Sequence, residues 1–140
     1  MIIIEKDTEF GLPENYNREK LISWLHSCAK KFQIKINQLS ISFLDDNGLQ
    51  QINNEVFNRN YLTDTITLSY RESEGIFSGE IYISLQRVES NARKYHTTYL
   101  KELLRVVIHS FLHVIGYEDK TEEQKRRMKC LEDWCLEYYS

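Results

Sequence analysis

Four stretches of the chain alternate between apolar and polar side chains, or are rich in β-branched residues, as expected of β-strands. These stretches are residues 1–5, 39–44, 63–70 and 80–84. Gly75 and Gly79 interrupt the pattern between the third and the fourth, and glycines often mark turns. The sequence therefore predicts four short strands, with both glycines in the loop that joins the last two.

Five other stretches have apolar residues at the three- and four-residue spacing of an α-helix. They lie at approximately residues 18–32, 49–57, 85–95, 98–115 and 122–138. Asn17 is suited to cap the first helix, and Leu49, Ile52 and Val56 are expected to face the core in the second. Thr121 and Gln124 predict a capping box at the start of the last helix.

Strands and helices in this order predict an α+β fold, in which a small mixed four-stranded sheet is covered by about five helices. The chain has 140 residues, a length typical of one domain. It contains no repeat, low-complexity segment or linker at which a domain boundary could lie. We therefore expect residues 1–140 to form a single domain.

Composition and charge narrow the classes of partner. Apolar residues make up 41% of the chain and charged residues 28%, which is typical of a globular protein. The net charge is -3, whereas proteins that bind duplex nucleic acid nonspecifically are usually strongly basic. Arg87 and Lys94 still share a polar helical stripe with Asn91, and a second cationic cluster is formed by Lys125, Arg126, Arg127 and Lys129. Each cluster is either a solvated helix face or a local contact for an anionic ligand.

The sequence also bears on the compartment. No apolar run is long enough to span a bilayer, and the run at residues 2–4 is too short for a signal peptide. Cys28, Cys130 and Cys135 form no close pair, and their odd number argues against a disulfide framework. We expect a cytoplasmic protein with reduced thiols and no membrane partner.

The main chemical signal is the segment HSFLHVIGYEDK at residues 109–120. His109 and His113 are four residues apart on one helix face, so that both imidazoles can reach one metal ion. Gly116 can end the helix in a left-handed conformation and turn the chain back, which would bring Glu118 or Asp119 to the same ion. Two imidazoles and one carboxylate leave coordination positions open, as in catalytic metal sites.

The residue after the first histidine separates this segment from a well-known class of protease. In HExxH metalloproteases that residue is a glutamate that acts as general base, and here it is Ser110. Activation of water would have to depend on the ion, on the substrate, or on another residue such as Glu102. The sequence alone therefore assigns no catalytic residue, and a metal-dependent protease or amidase stays open as an alternative.

Three motifs together resemble those of the YbeY family of bacterial metal-dependent endoribonucleases. Residues 109–119 resemble its HxxxHxxGYDH motif, residues 63–68 its TDVLSF strand, and residues 79–84 its GDIxIS strand. The order and separations of the motifs also agree, so the resemblance extends over nearly the whole chain.

The resemblance implies a cytoplasmic, zinc-dependent endoribonuclease that cleaves single-stranded RNA and has a metalloprotease-like core. It also implies a role in maturing the 3′ end of small-subunit (16S) ribosomal RNA and in ribosome quality control. The small ribosomal subunit or its assembly factors would then be partners. By position in the motif, His109, His113 and Asp119 would hold one Zn²⁺ ion.

The chain departs from the family pattern at two positions. Asp119 stands where the motif has a third histidine. A carboxylate is still an acceptable zinc ligand, but it makes the ligand set more negative and favours harder metals than imidazole does. Phe57 stands where the family's NxxYR motif has arginine, so Arg59 is the nearest candidate for a contact with RNA phosphate.

These residues suggest where the substrate would lie. We expect RNA between the histidine helix and the strand predicted at residues 63–70, close to Arg59 and to the stripe from Arg87 to Lys94. The non-catalytic alternative is a ribosome-associated module in which zinc only stabilises the turn after the helix. That alternative requires a closed site, completed by Glu118 or by a cysteine.

Overall fold

The computed structural model describes residues 1–58 and 63–139, which have the predicted α+β fold. The strands are β1 (Ile2–Lys6), β2 (Lys35–Leu44), β3 (Thr65–Ser73) and β4 (Ile76–Ser84). They lie in the order β1-β2-β4-β3, with β1, β2 and β4 parallel to one another and β3 antiparallel to β4 at the edge. The prediction of a mixed four-stranded sheet is confirmed.

The helices begin with the side-chain caps that their sequences favour. They are α1 (Arg18–Lys31), α2 (Asp46–Phe57), α3 (Leu85–Lys94), α4 (Tyr99–Val114) and α5 (Glu122–Leu136). The Asn17 side chain accepts a hydrogen bond from the Lys20 amide, and Thr121 and Gln124 form the predicted capping box. These caps satisfy backbone donors that a first helical turn leaves unpaired. Within the described ranges, no helix has both the length and the apolar character needed to cross a bilayer.

The main core joins the sheet to four of the helices. Ile41 of β2 and Ile81 and Ile83 of β4 pack in one cluster with apolar residues of α1, α3, α4 and α5. A separate, smaller cluster joins Leu49 of α2 to Ile66 of β3. Helix α4, which carries both predicted histidine ligands, contacts β3, β4, α3 and α5. It is therefore the central helix of the molecule.

Helix α4 is buried around most of its circumference. Its buried residues are Leu103, Leu104, Val106, Val107, Ile108, Ser110, Phe111, Leu112 and Val114. In its last two turns, His109 and His113 are the partly exposed positions, with side chains 31% and 28% exposed. Because packed neighbours hold the helix on its other sides, the two imidazoles project from a rigid support.

The predicted inward face of α2 is wrong at one position. Val56 is 50% exposed, whereas Leu49 and Asn53 are buried. Leu49 and Asn53 are four residues apart and therefore share a helix face. Val56 lies on the same side by helical spacing, but it is in the last turn of α2 and stays exposed.

The predicted position of Gly79 in a loop is also wrong. Gly79 lies within β4 and pairs with Ser69 of β3. A Cβ atom at this glycine would lie 2.8 Å from the Leu68 carbonyl oxygen and 2.9 Å from Val114 Cγ2. Glycine is required here because helix α4 packs closely against the strands.

Candidate metal centre

Helix α4 ends in a turn that reverses the chain beside the two histidines. Gly116 has a φ of 108°, in the left-handed region that favours glycine. Its amide donates to the His113 carbonyl, and the Tyr117 amide donates to the Leu112 carbonyl. This pair of hydrogen bonds is the Schellman pattern of helix termination, so the predicted role of Gly116 is confirmed.

The three residues after this glycine point in different directions. The Tyr117 ring packs against Phe32, with ring centroids 5.7 Å apart. The Glu118 side chain is 55% exposed, and its Oε1 lies 3.6 Å from Lys120 Nζ. Asp119 instead turns back toward the histidines. Of the two acids that the sequence left open, the structure therefore brings Asp119 to the histidine pair.

One atom from each of His109, His113 and Asp119 faces a common point. The two imidazole Nε2 atoms are 3.1 Å apart. Asp119 Oδ2 lies 3.3 Å from Nε2 of His109 and 3.5 Å from Nε2 of His113. A tetrahedral ion with bonds of about 2.0–2.2 Å would hold its ligand atoms about 3.3–3.6 Å apart, so the observed separations are within a few tenths of an ångström of those of such a site.

The geometry leaves one side of this group open. Among the described residues, no fourth His, Cys, Asp or Glu side chain joins the three, and the cysteines are free thiols. Three protein ligands with an open position are typical of catalytic zinc sites. The closed site that the non-catalytic alternative requires is therefore not formed by this part of the chain.

Glu132 of α5 fixes the orientation of His109. Its Oε2 lies 2.6 Å from His109 Nδ1, and its Oε1 accepts a hydrogen bond from Arg105 at 2.8 Å. The Glu132 side chain is only 8% exposed. A carboxylate accepts hydrogen bonds and cannot donate them, so the imidazole proton is on Nδ1. In the neutral ring, the Nε2 lone pair is then free to face the other two ligand atoms.

The same contact changes the acidity of His109. The hydrogen bond with Glu132 raises the pKa of the imidazole, burial opposes this rise, and the charges of Asp119 and Asp64 add to it. A histidine that donates its second nitrogen to a carboxylate is also a more basic ligand. Glu132 thus favours both the correct tautomer and strong donation by His109.

Glu132 was not among the residues predicted from the sequence. It is 23 residues from His109 and lies on another helix, so no local spacing connects the two. A usable signal was its position between Met128 and Cys135, which are both buried. A glutamate on the buried face of a helix needs a partner, because an unpaired buried charge is costly.

The side of α4 that faces β3 is closed. Ser110 is fully buried, and its Oγ lies 3.2 Å from Thr65 Oγ1. Ser69 Oγ donates to the Val114 carbonyl at 2.7 Å. From Thr65 to Ser69, the strand therefore packs directly on the helix and leaves no cleft between them. Ser110 points into this contact and away from the open side of the site.

The remaining candidates from the sequence have different outcomes. Arg59, the predicted RNA contact, lies outside the described residues. Arg87 is paired with Asp46, with Nη2 and Oδ2 3.2 Å apart, so it does not offer an unpaired cation. Glu102 lines the same groove as His109, and burial, followed by the nearby charge of Asp64, raises its pKa.

Comparison with known proteins agrees with the motif resemblance. The family model described as Endoribonuclease YbeY matches residues 3–140. A relative from Cytophaga hutchinsonii, named Endoribonuclease YbeY, is 37% identical over 136 residues, which cover 97% of this chain and 93% of the relative. Another of the same name, from Karelsulcia muelleri, is 38% identical over 133 residues, which cover 95% and 92%.

A solved structure has the same fold. The solution structure of TM1509 from Thermotoga maritima matches with a TM-score of 0.65 and 28% identity, covering 99% of this chain and 95% of that one. Family model, relatives and structure all extend over nearly the full length. The chain therefore belongs to the YbeY family of endoribonucleases.

Proposed function

We propose that this chain is a metal-dependent endoribonuclease that cleaves single-stranded RNA, with one Zn²⁺ ion held by His109, His113 and Asp119. The observation that carries the proposal is the convergence of three ligand atoms at distances of 3.1, 3.3 and 3.5 Å. The family match supports action on RNA. The open side of the group supports a catalytic role rather than a structural one.

Zinc is the ion that this donor set suits best. Two imidazoles and one carboxylate form several catalytic zinc sites, whereas magnesium and calcium sites consist mainly of oxygen ligands. A divalent ion and one carboxylate leave a net charge of about +1 at the centre. Such a centre attracts the phosphate of an RNA backbone even though the whole chain has a net charge of -3.

The protein residues have separate tasks in this proposal. When bound, the ion would polarise a phosphate oxygen or activate water. His109 is held by Glu132 in the tautomer that faces the site. Among the acids of the adjoining groove, Asp119 and Glu132 contact histidines, which leaves Glu102 to exchange a proton with substrate or water. Its raised pKa suits that role, because general acids and bases work best near the operating pH.

The family resemblance also supports a more specific biological role. We propose that the substrate is ribosomal RNA, that the enzyme matures the 3′ end of the small-subunit RNA, and that it takes part in ribosome quality control. Its partners would be the small ribosomal subunit or assembly factors, in the cytoplasm. The family match over residues 3–140 supports the prediction that the chain acts as a single domain.

The proposal is tested by comparing Asp119→Ala with Glu118→Ala after both have been loaded with zinc. Glu118 is the matched control, because it is the adjacent acid and its side chain points to solvent. We expect wild type and Glu118→Ala to retain about one ion per chain and to cleave single-stranded RNA. Asp119→Ala should lose most of both. Metal content is measured by atomic emission and cleavage on denaturing gels.

Two results would contradict the proposal. Equal zinc content in Asp119→Ala and wild type would remove Asp119 from the ligand set. A zinc-loaded wild type that leaves RNA intact but hydrolyses members of a peptide library would favour the protease alternative.

A further inference from the structure

A groove of about 900 Å³ lies on the side of α4 opposite β3. It runs between α4 and α5, and the connection from α3 to α4 contributes Tyr95 and Thr97 to its wall. His109 and Asp119 line the same groove. The proposed metal centre therefore opens directly into this space, and an extended ligand in the groove would pass the metal centre.

The floor of the groove is apolar. It is formed by Leu100, Leu104, Met128 and Leu136. Two tyrosines complete the lining, and their exposure differs. Tyr95 is 60% exposed, and Lys94 Nζ lies 5.6 Å from its ring centroid, so the ring offers a ligand an exposed surface beside a cation. Tyr139 is held by an edge contact with Trp24, with ring centroids 5.2 Å apart. A flat apolar group such as a nucleobase could stack on such rings.

The rim of the groove is cationic. Lys101, Lys125 and Lys129 line it and are exposed. Lys125 has a 3.9 Å contact with Glu122, which is long for an ion pair. Lys101 and Lys129 form no ion pair with another described residue. These lysines are therefore available to an anionic ligand.

We infer that this groove binds the nucleotides of a single-stranded RNA next to the phosphate that is cleaved. Bases lie on the apolar floor and on Tyr95, and backbone phosphates contact Lys101 and Lys129. This inference rests on the proposed nuclease function and adds the path of the substrate. An apolar floor with a lysine rim suits a ligand with flat bases and a regular series of negative charges. A duplex offers no unstacked bases to such a floor.

The test measures binding separately from cleavage. Wild type, the Lys101→Glu/Lys129→Glu double variant and Lys35→Glu are freed of metal with a chelator, so that no RNA is cut. Their affinity for a fluorescently labelled single-stranded RNA is measured by anisotropy at several salt concentrations. Lys35 is the matched control, because it is an exposed lysine that does not line the groove.

We expect the double variant to bind at least about tenfold more weakly than Lys35→Glu. Its slope of log affinity against log salt should be shallower by about 1.4, because each lost phosphate contact of a single strand contributes about 0.7. Tyr95→Ala removes an exposed ring and should leave the fold intact. It should also weaken binding about tenfold by loss of stacking, with little change in the salt slope.

The outcomes separate this inference from the proposed function. If wild type binds zinc and cleaves RNA but the double variant and Tyr95→Ala bind RNA as tightly as Lys35→Glu, the groove is not the RNA path and the nuclease function stands. If wild type neither binds nor cleaves RNA, both fail. A labelled duplex that binds as tightly as the single strand would also overturn the inference.

Discussion

Glu132 can be removed without changing any proposed metal ligand, because it contacts His109 at Nδ1 only. In Glu132→Ala, the His109 ring loses the acceptor that fixes its tautomer and orientation. We expect zinc affinity to fall about 10- to 100-fold, which is typical when such a partner of a ligating histidine is lost. Glu132→Gln, which keeps an acceptor oxygen, should recover part of the affinity. Affinity is measured by competition with a chromophoric chelator.

The control for this prediction is Asp133→Ala. Asp133 contacts Arg105, with Oδ1 and Nη2 2.7 Å apart, and is the second carboxylate on that guanidinium. Its removal disturbs the same arginine and leaves the bond between Glu132 and His109 in place. If both alanine variants bound zinc equally well, Glu132 would have no role in positioning His109.

Glu102 gives a prediction about pH and stability. Burial raises its pKa, so the folded state prefers the neutral carboxyl group. Its stabilising effect is complete below the unfolded pKa, about 4.3, and is lost as the pH rises through the folded pKa. Glu102→Gln resembles the neutral form at all pH values. We therefore expect the metal-free variant to be more stable than wild type at pH 7 and equally stable below about pH 4.

Urea denaturation of the metal-free proteins at the two pH values checks this prediction. Glu14→Gln is the control, because Glu14 is exposed and lies outside the groove. A variant that is less stable than wild type at pH 7 would show that Glu102 makes a favourable interaction as a carboxylate.

Some residues of the proposed metal centre could be predicted from the sequence, and others could not. His109, His113 and the acid after Gly116 lie within 11 consecutive positions, so helix periodicity and one glycine were enough to bring them together. Spacing could not choose between Glu118 and Asp119, because that choice depends on how tertiary contacts such as the packing of Tyr117 on Phe32 fix the turn. The contact between Glu132 and His109 depends on how α5 packs against α4, and no local sequence pattern predicts that packing.

At the scale of elements, Gly79 controls how closely α4 approaches the sheet. A Cβ atom there would lie 2.8 Å from a backbone oxygen and 2.9 Å from Val114, and the backbone oxygen cannot rotate away. We expect Gly79→Ala to lower the free energy of unfolding by about 1–3 kcal/mol, the usual cost of overpacking. Chemical denaturation gives this difference.

Gly11→Ala is the matched control for the strand glycine. A Cβ atom at Gly11 has no other atom within 4 Å, so the same substitution should change stability by only a few tenths of a kcal/mol. If Gly79→Ala were no less stable than Gly11→Ala, the close approach of helix and strand would not constrain the fold.

The type and order of the elements were predictable, whereas details set by tertiary contacts were not. Apolar residues at a spacing of two predicted the strands, and those at a spacing of three to four predicted the helices. The four strands and five helices occur in the predicted order. Gly79 was assigned to a loop because glycine usually marks a turn. In the structure it continues a strand, and the reason for the glycine is the close approach of Leu68 in the adjacent strand and of Val114, which lies 35 residues later in the chain.

At the scale of the whole molecule, the proposed metal ion should stabilise the fold. Its ligands are held in position by α4, the following turn and α5, and unfolding separates these elements. An ion that binds only the folded chain adds about 2.7 kcal/mol at a free concentration 100-fold above its Kd. We expect zinc to raise the thermal midpoint of wild type and of Glu118→Ala, and to have much less effect on Asp119→Ala.

Scanning calorimetry with and without added zinc checks this expectation. A thermal midpoint that rises equally in all three proteins would indicate that zinc binds elsewhere on the chain. Lack of any rise in wild type, at zinc concentrations that saturate it by direct titration, would show that the ion binds folded and unfolded chains alike.

The overall arrangement was only partly accessible from the sequence. A mixed sheet covered by helices followed from the kinds of element present. The order β1-β2-β4-β3 and the closed contact between β3 and α4 depend on long-range pairing. The expected RNA path beside β3 is therefore packed from Thr65 to Ser69, and the groove lined by His109 and Asp119 lies between α4 and α5.

The central position of α4 limits how this protein can change over evolution. Between Leu103 and Val114, most positions are buried and the two partly exposed histidines serve the proposed chemistry. Substitutions there would compromise packing or metal binding. Substitutions that alter the proposed metal centre without disturbing the packed helix are therefore expected mainly in the turn after Gly116. Asp119, which stands where the family motif has a histidine, lies in that turn, where a change of proposed ligand leaves the packing of α4 unaltered.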